Sequence, residues 1–403
     1  MPTINLRHLY FFMEVARVGN ITATAQRIHL SQPAITQAIA NVERFFGITL
    51  LNRVRAGVKL TTAGQMCQLR IISAFAQLQT GIAELTKSTP ARKGANLFRS
   101  LSTSQLNALL AVVEHRTFSA ASRAKGVSQP TIHRAAHGLE QLFNVSLFEK
   151  TSHGIVPTRD AERFTRKVKL AFAEIAQAQA EISALHGGES GRTVVGALPL
   201  ARTFILPSAL ILFADQFPQH QIEIVEGTYE HLLSSLRIGE VDLFIGAMRD
   251  SEPVDDVVEE HLFDDPLSIV MRSGHPLLQK KRITVPMLAK FPWVAPRTGS
   301  PLRNHYDKLF KATGVEPPLA SIECNSISAA RALLLESDRI MLLSAHQIYY
   351  DLRAGMLVAI PPPLGKLSRP IGITVRQNWR PTRAQEVLLK LLRDQARSLS
   401  IKK

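Results

Sequence analysis

Cysteine is nearly absent from this chain of 403 residues, which holds only Cys67 and Cys324. Two cysteines so far apart exclude a disulfide framework and fit a reducing cytoplasm. No apolar run approaches the roughly 20 residues needed to span a bilayer. Met1 to His8 carries no basic-then-apolar signal. The expected location is the cytoplasm, with no membrane partner. Catalytic signatures are equally scarce. His133 and His137 stand four apart, but no Glu follows His133, so the zinc-protease motif is missing. Gly187-Gly188-Glu189-Ser190-Gly191 lacks the spacing of a nucleophile elbow and reads as a flexible linker. No Gly-rich phosphate loop of standard spacing occurs. These gaps point away from an enzyme, a metal centre or a bound cofactor. Cys324 is expected to be a buried strand residue, with redox sensing as the alternative.

Acidic residues are short at one end only. Residues 1–100 hold 12 Lys and Arg against 3 Asp and Glu. Residues 101–190 hold 10 against 8, and the remainder of the chain 26 against 22. The excess at the N-terminus suits a polyanionic partner, although general solubility charge would look the same.

What is present is a repeat. Ser31-Gln32-Pro33-Ala34-Ile35 returns as Ser128-Gln129-Pro130-Thr131-Ile132, an offset of 97 residues. The same offset pairs Leu9 with Leu106, Ala23 with Ala120, Glu43 with Glu140, Arg53 with Lys150, Gly57 with Gly154 and Thr61 with Thr158. A fixed period over some fifty residues signals duplication of one supersecondary unit. In the first copy, Leu6, Leu9, Met13 and Ala16 keep helical spacing. Gly19 ends that helix and Asn20 caps the next, Ile21 to Ile28. Ser31 caps a third, with Pro33 in its first turn, where a missing N–H costs little. Ile35, Ile39, Val42 and Phe46 form its apolar stripe, and Gln32, Thr36 and Gln37 lie opposite. Three short helices with a tight turn before the third match a helix-turn-helix. Arg53 to Leu60 reads as a β-wing carrying Arg53 and Arg55. Thr62 and Gln65 are expected to form a capping box for a long helix reaching about Leu85.

The second copy presents Ser128, Gln129, Thr131, His133 and Arg134 outward, and its wing starts at Lys150. A long helix from about Asp160 to Leu185 follows, and its continuous apolar edge is expected to serve dimerisation, with burial in a core of the same chain as the alternative. Lys87 to Ser100 reads as a linker between the copies. Gln, Thr, His or Arg on the first turns of a recognition helix reach base edges in the major groove. Helix N-termini and wing cations hold phosphates.

From Arg192 onward, strand-like and helical stretches alternate, which argues for parallel α/β layers. The strand candidates are 193–198, 222–225, 241–246, 267–271, 293–296, 321–324, 340–343 and 371–375.

Each repeated unit resembles the winged helix-turn-helix of LysR-type transcriptional regulators. The resemblance rests on Ser31-Gln32-Pro33-Ala34-Ile35, Val42-Glu43, Gly47 and Leu60-Thr61 in the first copy. In the second it rests on Ser128-Gln129-Pro130, Leu139-Glu140, Leu147-Phe148-Glu149-Lys150 and Pro157-Thr158. Typical members carry one copy, so the duplication is a departure. The C-terminal half is similar to the family's effector domain through Val241-Asp242-Leu243-Phe244-Ile245-Gly246, Gly274-His275-Pro276-Leu277 and Pro370-Ile371-Gly372-Ile373. The implied architecture is a multidomain chain with two all-α winged helix-turn-helix modules and a two-lobed α/β effector domain like type 2 periplasmic binding proteins. The implied boundaries are 1–90 and 101–189 for the modules, 91–100 for the linker and 191–403 for the effector domain. One lobe would span about 191–270 plus the segment from about 356, the other about 271–355.

Ligands of open α/β sheets lie beyond strand ends, against helix N-termini. That picks out Pro199, Leu200, Ala201, Gly227, Thr228, Thr298, Gly299, Ser300, Asn325 and Ser326. Arg202, Arg249, Arg297 and Arg303 are further candidates, for a carboxylate or phosphate. The expected partners are double-stranded DNA, a small-molecule inducer, further copies of the chain in a dimer or tetramer, and RNA polymerase. Two other readings remain open at this level. One is an architectural protein or repressor that has lost ligand sensing, with the second module serving assembly rather than DNA contact. The other is an α/β enzyme fused to DNA-binding modules.

Overall fold

The computed structural model describes residues 4–55, 57–86, 97–152, 154–185, 191–249, 255–318, 322–365 and 367–401. The chain divides into two compact units, essentially residues 1–192 and 193–403.

In the first unit, the first copy comprises α1 (Leu6–Val18), α2 (Ile21–Arg27), α3 (Gln32–Phe46), the hairpin β1 (Leu51–Val54) and β2 (Gly57–Leu60), and α4 (Thr62–Leu85). A single helical turn, α5 (Leu97–Ser100), precedes the second copy. That turn lies within the segment expected to be linker, most of which falls outside the described residues. The second copy comprises α6 (Thr103–His115), α7 (Phe118–Lys125), α8 (Gln129–Phe143), β3 (Phe148–Thr151), β4 (Gly154–Pro157) and α9 (Arg159–Ala184). The modules are thus helical with a two-stranded wing rather than all-α.

The repeat extends to backbone chemistry. Gly19 and its mate Arg116 both take left-handed φ, as do His29 and Gly126, and Gly47 and Asn144. The Glu43 carboxylate accepts the Leu50 and Leu51 amides at 2.8 and 3.2 Å. Glu140 does the same for Leu147 and Phe148 at 2.8 and 3.1 Å. Each glutamate therefore ties its recognition helix to the base of its wing. One local expectation fails, and one cap is not repeated. Thr61, not Thr62, caps α4 through the Gly64 amide. Ser31 accepts the Ala34 amide at 3.4 Å, but Ser128 makes no such cap. The second copy has Thr131 where the first has Ala34, and its hydroxyl engages Ser128 at 2.8 Å instead.

The larger correction concerns α9. Its apolar edge, including Phe164, Val168, Ala171, Ile175, Ala178 and Ile182, is buried in one core with Cys67, Ile71, Ala74, Leu78 and Ile82 of α4. The edge expected to serve dimerisation is covered within the chain. Between the helices, Arg70 is almost fully buried and donates to Glu174 at 3.0 Å, to Gln177 at 2.7 Å and to Glu181.

The second unit runs β5 (Arg192–Ala197), α10 (Ile205–Gln216), β6 (Gln221–Glu226), α11 (Tyr229–Arg237), β7 (Leu243–Ala247), β8 (Val257–Arg272), α12 (Val285–Leu288), β9 (Val294–Ala295), α13 (Pro301–Lys311), β10 (Ile322–Glu323), α14 (Ile327–Leu335), β11 (Met341–Ser344), α15 (Tyr349–Arg353), β12 (Leu357–Ile360), β13 (Ser368–Arg376) and α16 (Arg383–Ile401). Its main sheet has the order β11-β8-β13-β7-β5-β6, with β12 also on β8. The sheet is mixed, not parallel. β5 and β7 are parallel, while β13 runs antiparallel to β7 and β8, and β8 antiparallel to β11 and β12.

β8 belongs to both lobes. Phe263 packs with Val195, Ile245 and Ile373 in one core, and Leu267, Ile269 and Met271 with Trp293 and Phe310 in another. The chain changes lobe between Phe263 and Leu267, earlier than the expected boundary near 270. It returns between Leu367 and Ile371, later than the expected 356, because β12 pairs with the second-lobe end of β8. No helix among the described residues is long and apolar enough to cross a membrane.

Candidate nucleic-acid interface and ligand cleft

The N-terminal turns of both recognition helices are open to solvent. Ser31, Gln32, Pro33, Thr36 and Gln37 are exposed, as are Ser128, Gln129, Thr131 and Arg134. Their opposite faces supply Ile35, Val42, Ile132 and Leu139 to the core. Thr36 donates back to the Gln32 carbonyl at 3.0 Å, and the Gln37 amide reaches Asn41 at 3.1 Å. His133 differs from the expectation. It is half-buried, with its ring 4.9 Å from that of Phe118 and its Nε2 3.1 Å from His137 Nε2. His137 in turn meets Glu140 at 2.5 Å. Packing holds this ring, and Arg134 carries the exposed charge of that turn.

The wings are unequal. Arg53, Arg55 and Lys59 are exposed cations of the first. Their mates at the same offset are Lys150, Ser152 and Val156, so the second wing keeps one cation of three. The first wing is also the more tightly seated. A Cβ at Gly57 would come 2.1 Å from the Gly19 carbonyl oxygen, and the Val58 amide donates to that oxygen at 2.8 Å. Only glycine permits this approach, at φ 134°.

The C-terminal unit contains a cavity of about 970 Å³ lined by both lobes. Pro199, Leu200, Gly227, Thr228, Thr298, Gly299, Ser300, Asn325 and Ser326 all line it. Ala201 does not, because it is fully buried in the first-lobe core. The first lobe places Thr228 ahead of α11, where it accepts the His231 amide at 3.2 Å. The second lobe contributes two helix caps. Ser300 accepts the Arg303 amide and starts α13, and Ser326 accepts the Ala329 amide and starts α14. Each hydroxyl keeps its proton for a ligand, and each helix end favours negative charge.

Arg202, Arg249, Arg297 and Arg369 line the cavity against Glu226 and Glu230. Arg202 pairs with Glu226 at 2.9 Å, and burial holds its pKa below the usual value. Arg249 pairs with Glu230 at 2.8 Å and lies over the Tyr229 ring. Burial and the Glu259 carboxylate push the Tyr229 phenol up to about 12. Arg303 is committed to Asp307 and Glu323 at 3.0 and 2.8 Å, which removes it as a ligand contact. The hydrogen bonds from Thr298 and Arg303 in turn hold the Glu323 carboxyl below its ordinary value. Among the described residues, Arg297 is the cavity arginine with no carboxylate partner.

Sequence reasoning missed Gln347 and Arg369. Both belong to a buried cluster where the strands change lobe. The fully buried Asp265 accepts from Ser344 at 2.6 Å, from His346 at 2.9 Å and from Arg369 at 3.2 Å. Arg369 also donates to Gln347, whose carbonyl accepts from Thr203 of the first lobe at 3.1 Å. Cys324 was expected to be buried in a strand. It lies one residue past β10, half-buried on the cavity wall, and its thiol donates to the Ser326 carbonyl at 3.3 Å. No group of three or more His, Cys, Asp or Glu among the described residues is placed to hold a metal.

Comparison with known proteins agrees with this geometry. The family model described as bacterial regulatory helix-turn-helix protein, lysR family, matches twice, at residues 6–65 and 103–162. The LysR substrate binding domain model matches residues 186–397. The HTH-type transcriptional regulator GalR of Pseudomonas putida is 31% identical over 389 residues, 96% of each chain. That alignment runs across both winged modules. The uncharacterized HTH-type transcriptional regulator YdcI of Escherichia coli is 32% identical over 67% of this chain and 88% of its own. Among solved structures, a full-length OxyR variant of Pseudomonas aeruginosa shares the fold with a TM-score of 0.53 at 23% identity, covering 72% of this chain and 97% of its own.

Proposed function

This chain belongs to the LysR family of bacterial helix-turn-helix regulators, and from that premise we propose how its two winged modules and its ligand cleft divide the work. The chain is a DNA-binding transcriptional regulator with an effector-binding domain, not an enzyme. Both modules contact double-stranded DNA, each laying its recognition helix in a major-groove segment while wing cations and helix N-termini hold phosphates. The observation that carries this reading is the repeated solvent-open face of α3 and α8, each braced to its wing by the same glutamate.

The effector is a small organic anion, most simply a carboxylic acid, bound between the lobes. Four arginines against two glutamates on the cavity wall favour an anion, and Arg297 is free to meet it. The capped starts of α13 and α14 supply hydroxyls and helix ends of the matching sign. The effector acts by its differential affinity for two arrangements of the lobes, which biases the modules across an oligomer in the cytoplasm. RNA polymerase is the downstream partner in this reading.

The test uses full-length protein and a panel of mono- and dicarboxylic acids. A binding acid raises the unfolding temperature by mass action, by RT ln(1 + [L]/Kd) in free energy. Ser300→Trp, which fills the space beside α13, should abolish that rise while ligand-free DNA affinity stays within about twofold. A full thermal response in Ser300→Trp would place the ligand elsewhere.

A further inference from the structure

We propose that a single chain reads an inverted pair of unlike DNA half-sites, one per module. The proposal rests on the reading above that both modules bind DNA. It begins with the symmetry hidden in the packing of α4 on α9. Arg70 meets Glu174, Gln177 and Glu181, whereas Gly81 abuts Phe164 and Lys167. The helices therefore run antiparallel. The offset of 97 makes Lys167 the mate of Arg70 and Ala178 the mate of Gly81. Arg70 lies beside the Gln177–Ala178 turn, and its mate Lys167 lies beside Gly81. Exchanging the copies reproduces the contact, which is the property of a twofold axis. Residues that touch their own mates mark that axis. The Leu6 amide donates to Thr103 Oγ1 at 3.2 Å, and Thr103 is the mate of Leu6. Two modules related in this way present their recognition helices in opposite senses, so the half-sites are inverted.

The pairing is specific to one helix of each kind. A Cβ at Gly81 would come 2.8 Å from Lys167 Cβ and 2.9 Å from Phe164 Cδ2. Two α9 helices would set Phe164 against Ala178, which carries that Cβ. Two α4 helices would set Arg70 against Gln77, Thr80 and Glu84, the mates of its present partners, with one carboxylate instead of two. Both alternatives are worse than the pair within the chain, so the two unlike heads stay together.

The heads differ at defined positions. Gln32 and Gln129 are mates and share one side chain. Gln37 and Arg134 are mates and do not. Glutamine pairs with adenine through N6 and N7, and arginine with guanine through O6 and N7. Arg134 is exposed and has no carboxylate partner among the described residues. The half-sites should share the base read by Gln32 or Gln129. They should differ where the first offers adenine to Gln37 and the second guanine to Arg134.

The test is selection of bound sequences from a random duplex pool by full-length protein, followed by affinities for the winners. The expected winner is an inverted repeat with centres about one helical turn, roughly 34 Å, or a multiple apart, carrying guanine in one half against adenine in the other. Arg134→Gln should move that base to adenine and cost the original site about tenfold in affinity. The substitution lies on an exposed face, so folding is not at issue. Two identical halves in the wild-type winner, or no base change with Arg134→Gln, would overturn the proposal. A winner with one half-site alone would instead remove the second module from DNA and sink the reading beneath it.

Discussion

Replacing Asp265 with Ala should destabilise the C-terminal unit more than any other single polar substitution where the strands change lobe. The carboxylate is fully buried and accepts from Ser344, His346 and Arg369. Arg369 and His346 have side chains only 14% and 20% exposed, so water cannot replace the missing partner well. Truncating one member of a buried ion pair costs about 3–5 kcal/mol, because the other charge stays behind. For a unit of this size each kcal/mol lowers the transition by about 2–4 °C, giving a fall of about 6–20 °C. Calorimetry of the full chain is the assay, since two units need not unfold together. Asp265→Asn keeps one acceptor oxygen for Ser344 and His346 but turns its NH2 toward Arg369, so the charge and one acceptor are lost and the cost should be about 1.5–3 kcal/mol. Asp265→Leu combined with Arg369→Met should recover part of the loss, as apolar replacement of buried pairs commonly does. A change below about 1 kcal/mol in Asp265→Ala would refute the assignment of a buried, charge-bearing cluster there.

Two other outcomes can be checked directly. Arg53→Ala with Arg55→Ala should weaken binding to all duplexes alike and flatten the log K against log salt slope by about 0.9 for each phosphate no longer held, as titrations at several salt concentrations would record. His275 is neutral in the fold, since its Nδ1 accepts the Leu277 amide while Nε2 faces the Asp338 carbonyl, and burial lowers its pKa below 6.5. Its contribution is therefore complete above pH 6.5 and is lost as pH falls through the lowered folded value; His275→Gln should flatten that acid limb in unfolding experiments across roughly pH 4–7.

The winged modules were legible because each local signal agreed with the next. Asn20 and Ser31 announced helix starts. The stripe of Ile35, Ile39, Val42 and Phe46 gave the buried face. The first half of β8 was not legible. Glu259, Glu260, His261, Asp264 and Asp265 carry no apolar alternation and lie outside the expected strands, yet pair along β13. Pairing was decided by a strand roughly a hundred residues later, which no local pattern carries. The destination of the α9 edge was also hidden, since an apolar stripe does not say which helix will cover it. In the cleft, nine of the ten residues chosen from strand ends and helix starts line the cavity. Arg369 and Gln347 escaped because their place depends on the crossing strands rather than on a helix N-terminus.

The union of α4 and α9 within one chain has a consequence for dosage. A reading head assembled from two chains falls apart as its concentration drops, and its abundance then follows the square of protein supply. Here the two halves are held by the same polypeptide, at an effective concentration set by connection rather than by expression. Formation of the two-headed unit is thus unimolecular, and the amount of it rises in simple proportion to the number of chains made. The paired modules therefore persist at dilutions where two separate chains would come apart.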